Sequence, residues 1–154
     1  MKRTFFFGVV VAALAFAVSP AVAADINFKS TFLQNGFESL TKDFGVSILI
    51  SKEIFSRLED PDIYKYRFLG NTNVKGNFES VAIFEIYDAD PTDILDQKDM
   101  TKREFENAVY YFGIEDYSAA EVHFKNVLVH FPGDKASSLY LEQCRDKMVE
   151  ITNG

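Results

Sequence analysis

The feature that most constrains this chain is a change of hydrophobic period at Asp88–Pro91. Before it, Ile63, Lys65, Arg67 and Leu69 alternate with Tyr64, Tyr66 and Phe68, the two-residue repeat of a strand. Val81–Tyr87 (VAIFEIY) is apolar on both faces, as expected of a strand covered on both sides. After Pro91 the apolar residues recur at helical spacing. Helices are expected over Thr92–Met100, Thr101–Gly113, Ser118–Phe131 and from Lys135 to about Ile151. Upstream, Leu33, Phe37, Leu40 and Phe44 form one stripe of a helix over Ile26–Phe44, stopped at Gly45. A short strand, Val46–Ile50, follows, and Ser51 caps a brief helix containing Ile54, Phe55 and Leu58. Asp60-Pro61-Asp62 is a turn, and Gly70-Asn71 and Lys75-Gly76 bound a loop. The expected class is α+β, with strands and helices first and an all-helical tail after Pro91.

The first 23 residues read as a signal peptide. Lys2 and Arg3 precede the apolar run Phe5–Val18, Pro20 breaks it, and Ala21-Val22-Ala23 offers a small-residue cleavage site. The run is shorter than the roughly 20 residues a bilayer-spanning helix needs. Export, to a periplasm or beyond, is the expectation. A mis-read start, leaving the chain cytoplasmic or anchored in a membrane, is the alternative. Without Lys2 and Arg3 the remainder carries 14 basic and 23 acidic residues. That balance argues against a nucleic-acid partner, which calls for a basic stripe. The one cysteine, Cys144, allows no internal disulfide and no cysteine metal site, and helical spacing puts it with Tyr140 and Leu141 as a small core residue.

Between Thr101 and Asp134, Ala108, Tyr111, Tyr117, Ala120, Phe124, Leu128 and Pro132 occupy the small, aromatic, apolar and proline positions of a tetratricopeptide repeat. The tail resembles a single copy of that repeat, followed by a capping helix with Leu139, Leu141, Cys144, Met148 and Ile151. A lone repeat cannot bury its own faces. Cover is expected from the capping helix and from the strand-bearing half.

The stretch FESLTKDFGVSILISKEIF (Phe37–Phe55), with YRFLGNTNVKGNFESVAIFEIYDADP (Tyr66–Pro91), resembles the last third of a class III adenylate/guanylate cyclase catalytic domain. The matching positions are Glu38, Leu40, Lys42, Phe44, Gly45, Ser51, Arg67, Leu69, Gly70, Val74, Lys75, Gly76 and Glu85-Ile86-Tyr87. The exit Asp88-Ala89-Asp90-Pro91 and the tail segment Leu139-Tyr140-Leu141-Glu142-Gln143-Cys144-Arg145 are similar to those of some bacterial cyclases. The resemblance implies a partial, ferredoxin-like cyclase sheet over 24–91 and a repeat-like tail over 92–154. It implies that Lys75 contacts the nucleotide polyphosphate and opposes charge on the leaving pyrophosphate. It also implies a reaction from nucleoside triphosphate to cyclic nucleotide with two Mg or Mn ions.

This sequence departs from the family pattern. The family's metal-binding aspartates precede the matched region, where this chain has its leader. Phe32 and Gly36 stand where an asparagine and a transition-state arginine belong, and Asn77 replaces a second lysine. The expectation is therefore a cyclase remnant that is inactive alone, with no catalytic and no metal residues of its own. A homodimer or a cyclase-domain partner would be its natural companion. The alternative is a small exported interaction module whose tail binds a protein or peptide. By residue chemistry alone Lys75 is a solvated turn lysine. Asp88, Asp90, Asp93 and Asp96 lack the glycine and terminal glutamate of a calcium loop and read as a solvated linker with helix-start acids. His123 and His130 lie about 10 Å apart along a helix, too far to share a metal ion. Ser39-Leu40-Thr41-Lys42 spells an S-x-x-K without the further motifs that would make it a nucleophile.

Overall fold

A computed structural model describes residues 39–73 and 80–154. The expected signal peptide, the first part of the helix expected over Ile26–Phe44 and the expected turn at Lys75-Gly76 lie outside the described residues. The chain is mixed α+β: a three-stranded antiparallel sheet plus helices. A helical segment over 39–44 leads to Gly45, whose φ of +66° is the left-handed helix stop expected there. Strand β1 (Ile48–Ser51) runs straight into the four-residue helix α1 (Lys52–Phe55), and the Ser51 hydroxyl accepts the Ile54 amide as its cap. A 3-10 turn (Pro61–Ile63) precedes β2 (Tyr66–Asn73) and β3 (Ser80–Ile86). The sheet order is β1-β3-β2, so β3 is the central strand.

Strands β1 and β3 shift by one or two residues from the sequence reading, and both ends of β2 differ by more, each for a local reason. Ile63 and Lys65 do not belong to β2. The Asp60 carboxylate accepts the Asp62 amide and Pro61 fixes its own φ, so the chain curls before it extends. At the other end, Gly70 does not turn the chain. It sits in a bulge between Phe68 and Gly70 with φ +115°, and pairing with β3 resumes through Asn73.

The tail is three helices: α2 (Thr92–Gly113), α3 (Tyr117–His130) and α4 (Lys135–Asn153). Helix α2 is continuous where two helices were expected. Thr101 does not cap a new helix, because its hydroxyl donates back to the Gln97 carbonyl at 2.7 Å and the residue is buried in mid-helix. Helix α3 packs antiparallel to α2, with Phe105 against Phe124 and Phe112 against Tyr117. Its cap is Asp116, which accepts the Ala119 amide at 3.0 Å. Ala108, Ala120 and Ala136 are fully buried and let the three helices approach closely.

One hydrophobic cluster spans both sides of Pro91. It joins Phe44, Leu49, Leu69 and Ile83 to Phe105, Val109, Phe124 and Tyr140. The opposite sheet face is covered by α1 and Leu58, with the Phe55 ring stacked on Phe84 at 4.4 Å. Tyr140 is the hub of the larger cluster. Its ring stacks on Phe124 at 5.0 Å and meets Phe112 edge-on at 4.9 Å, while its hydroxyl donates to the Leu69 carbonyl at 2.5 Å. Cys144 is buried one turn further along α4, as the helical spacing predicts, and burial pushes its thiol up to about 11.

Gly70 faces this hub so closely that a Cβ there would overlap the Tyr140 hydroxyl. Gly70→Ala is expected to cost more than about 2 kcal/mol, from its positive φ and from the clash together. In denaturant titrations the same substitution should cost less in a Tyr140→Phe background, which removes the clash and keeps the φ penalty. Equal costs in both backgrounds would contradict the close approach.

Candidate functional site

The polar residues of the described structure concentrate at one place, where sheet meets tail. Arg67 on β2 and Glu85 on β3 are cross-strand partners in register, and both side chains point at the helices instead of at water. The Arg67 Nε donates to Glu85 at 2.5 Å. Its two terminal nitrogens form a fork on Asp134 at 3.0 and 2.8 Å, and the guanidinium carbon lies 4.2 Å from the centre of the Phe105 ring. Lys98, from the second turn of α2, bridges Glu85 and Asp90, the latter at 2.5 Å. Ser137 completes the set by donating to Asp134 at 2.6 Å.

Asp134 sits just before α4, where an aspartate would ordinarily cap the helix. Here its carboxylate makes no cap bond and is taken by Arg67 and Ser137, while still lying at the positive end of the helix dipole. Arg67, Glu85 and Asp134 have side chains no more than 2% exposed. Burying charge this deeply costs several kcal/mol per ion unless each is paired and hydrogen-bonded. Here each is. Among the described residues no buried side-chain nitrogen or oxygen lacks a partner.

The titration behaviour follows from this packing. Burial works against the charge on Arg67, but Glu85 and Asp134 outweigh it and raise its affinity for the proton. Burial alone would raise Asp134; Arg67 and Ser137 overcome that and hold its carboxyl below the usual aspartate range. Beside the cluster, Tyr87 donates to Asp99 at 3.0 Å and Lys65 pairs with the same carboxylate. Burial and then the Asp99 bond push the Tyr87 hydroxyl up, and the Lys65 bond pulls Asp99 down.

The exit aspartates have structural work. Both Asp88 oxygens accept the Lys65 amide at 3.0 Å, and Asp90 holds Lys98, so Asp90 is not the solvated linker residue that its spacing suggested. On the free side of β2 the Phe68 amide is sealed by Glu106 at 3.0 Å. His123 lies on the tail surface, its ring stacked on Tyr111 at 5.0 Å and its Nδ1 2.9 Å from Glu104.

Arg67 and Glu85 appear in the sequence as letters of a motif, and neither Lys98 nor Asp134 is marked by it. The available signal was the alternation that puts Arg67 on the same strand face as Leu69, which is fully buried. Lys75, the residue expected at a phosphate, lies outside the described residues. Among the described residues the donors do not fit a two-ion centre: Glu85, Asp90 and Asp134 are each ion-paired with Arg67 or Lys98, and no group of three or more ligating side chains is arranged for a cation. A groove of about 180 Å³ beside Leu40, Phe44, Phe112 and Tyr140 is smaller than the roughly 300–1,000 Å³ typical of ligand pockets. Among the described residues no helix is long and apolar enough to cross a membrane.

The cluster makes stability depend on pH in a defined direction. Asp134 and Asp99 have folded pKa values below their unfolded ones. Their contribution is therefore complete above the unfolded value of about 3.9 and is lost as pH falls through the folded values. Unfolding free energy should be flat from neutral pH to about 5 and then drop. In Asp134→Asn the acid drop should be smaller and the neutral plateau lower. An unchanged acid limb in that variant would show that Asp134 is not the group responsible.

No protein-family model, no curated protein and no solved structure matches this chain.

Proposed function

We propose that this chain is the C-terminal part of a class III nucleotide cyclase catalytic domain joined to a tetratricopeptide-like tail, and that by itself it forms no cyclic nucleotide. One observation carries the reading: the residues on which the resemblance rests converge in space. Leu69 and Gly70 of the strand motifs meet Tyr140 of the tail motif, Arg67 pairs with Glu85 across the two strands, and Asp88 and Asp90 of the exit hold Lys65 and Lys98. These letters, far apart along the chain, depend on one another physically. That supports a single inherited unit running from the sheet through α4.

The same packing bears on activity. The acids at the joint are shared between Arg67 and Lys98, which commits them to holding structure instead of binding phosphate or metal. Lys75 keeps its assignment as a phosphate contact by resemblance alone, and a partner domain would have to supply the ion-binding aspartates. The second reading, an interaction module acting through its tail, draws support from Val122 and Val129, which stand 55% and 73% exposed on the outer side of α3.

Purified protein with ATP or GTP and manganese is expected to give no cyclic product above a blank. Product that disappears in Lys75→Ala would overturn the inactivity. Mixing with an intact class III cyclase separates the two readings. Co-elution with a changed turnover rate is expected of a cyclase fragment. No binding and no change in rate would leave the interaction module standing.

A further inference from the structure

The apolar contacts between sheet and tail are non-directional. Leu69 and Ile83 against Phe105 and Val109 hold the two layers together but do not choose an angle between them. The polar contacts do, because each has a fixed geometry. The first attachment is the chain itself at Asp88–Pro91, reinforced by Lys98 on Glu85 and Asp90 and by Tyr87 and Lys65 on Asp99. The second is on β2, where the Tyr140 hydroxyl meets the Leu69 carbonyl and Glu106 accepts the neighbouring Phe68 amide. Two attachments leave a rotation about the line that joins them. A third, placed elsewhere, removes it. The fork of Arg67 on Asp134 is such a third attachment, about 9 Å along α4 from Tyr140 at 1.5 Å per residue.

We propose that the Arg67–Asp134 pair is an orientation lock, a conformational device that fixes the angle of the helical tail on the sheet while the apolar core supplies the stability. A buried ion pair recovers little beyond its own desolvation, and apolar residues of similar volume often replace one without loss. What such residues lack is the planar two-pronged geometry that accepts one direction of approach. Arg67 carries that geometry in three directions at once: along the sheet to Glu85, across to Asp134, and face-on to Phe105. The lock follows from these contacts and holds whether or not the chain descends from a cyclase.

The test is a distance distribution in the full chain. Spin labels at Glu59→Cys beside the sheet and Val129→Cys on α3, in a Cys144→Ala background, should give one narrow distance. The triple substitution Arg67→Met/Asp134→Leu/Ser137→Ala, made with Glu85→Gln so that no carboxylate is left without Arg67, removes the pair without stranding a charge. It should keep the helical circular dichroism and broaden the distance or add a second population. The milder Asp134→Asn, which preserves shape, should shift the distribution in the same direction. A folded triple variant with the parent's single narrow distance would overturn the lock. Loss of folding in both variants would overturn it equally, since the pair would then be supplying stability and not angle.

Discussion

Arg67 places a permanent positive charge in the middle of the protein, and the architecture around it is what makes that tolerable. Arginine stays ionised at any pH a protein meets, so burial cannot be relieved by loss of the proton. It needs counter-charge within hydrogen-bond reach and a surface for its flat faces. Glu85 supplies one from the paired strand, Asp134 supplies another from the head of α4, and Phe105 supplies the surface from α2. Lys98 then balances the second oxygen of Glu85. Take away any one element and the others hold an unpaired buried charge, at a cost of about 3–5 kcal/mol. The sheet and the tail are thereby made conditional on each other.

That dependence also explains how a lone helical hairpin is covered. An isolated hairpin such as α2–α3 exposes two apolar faces and would not be stable alone. Here α4 covers one face, and the inner face of the sheet packs on the helices through Leu69 and Ile83. Helix α4 turns Glu142, Arg145, Asp146 and Glu150 outward, and Val149 and Ile151 near its end are exposed with them, so Ile151 does not join the apolar cover that its spacing suggested. The packing also gives the sheet a covered edge and face that three strands could not provide for themselves.

Much of this was legible in the sequence, and the failures have physical causes. The mixed α+β class and the tail helices followed from period alone, and Cys144 and Ala120 fell in the core as their spacing required. Thr101 misled because a threonine can cap a helix or bond back inside one, and only burial decides which. Gly70 misled because a positive φ serves a turn and a bulge equally well. The charge cluster was invisible for a different reason. Arg67 and Asp134 are joined only by the way the tail folds back, and no spacing rule connects residues so far apart. Its one trace was a charged residue on the inward side of an alternating strand.

Strands and tail form one cooperative unit closed by the buried charges. Native-state amide exchange measured across increasing denaturant tests it directly. The amides of Ile83 and Glu85 in β3 and of Phe124 and Val127 in α3 should merge into one global opening, with the same free energy and the same denaturant dependence. Two separate openings, with α3 still protected after β3 has exchanged, would contradict it.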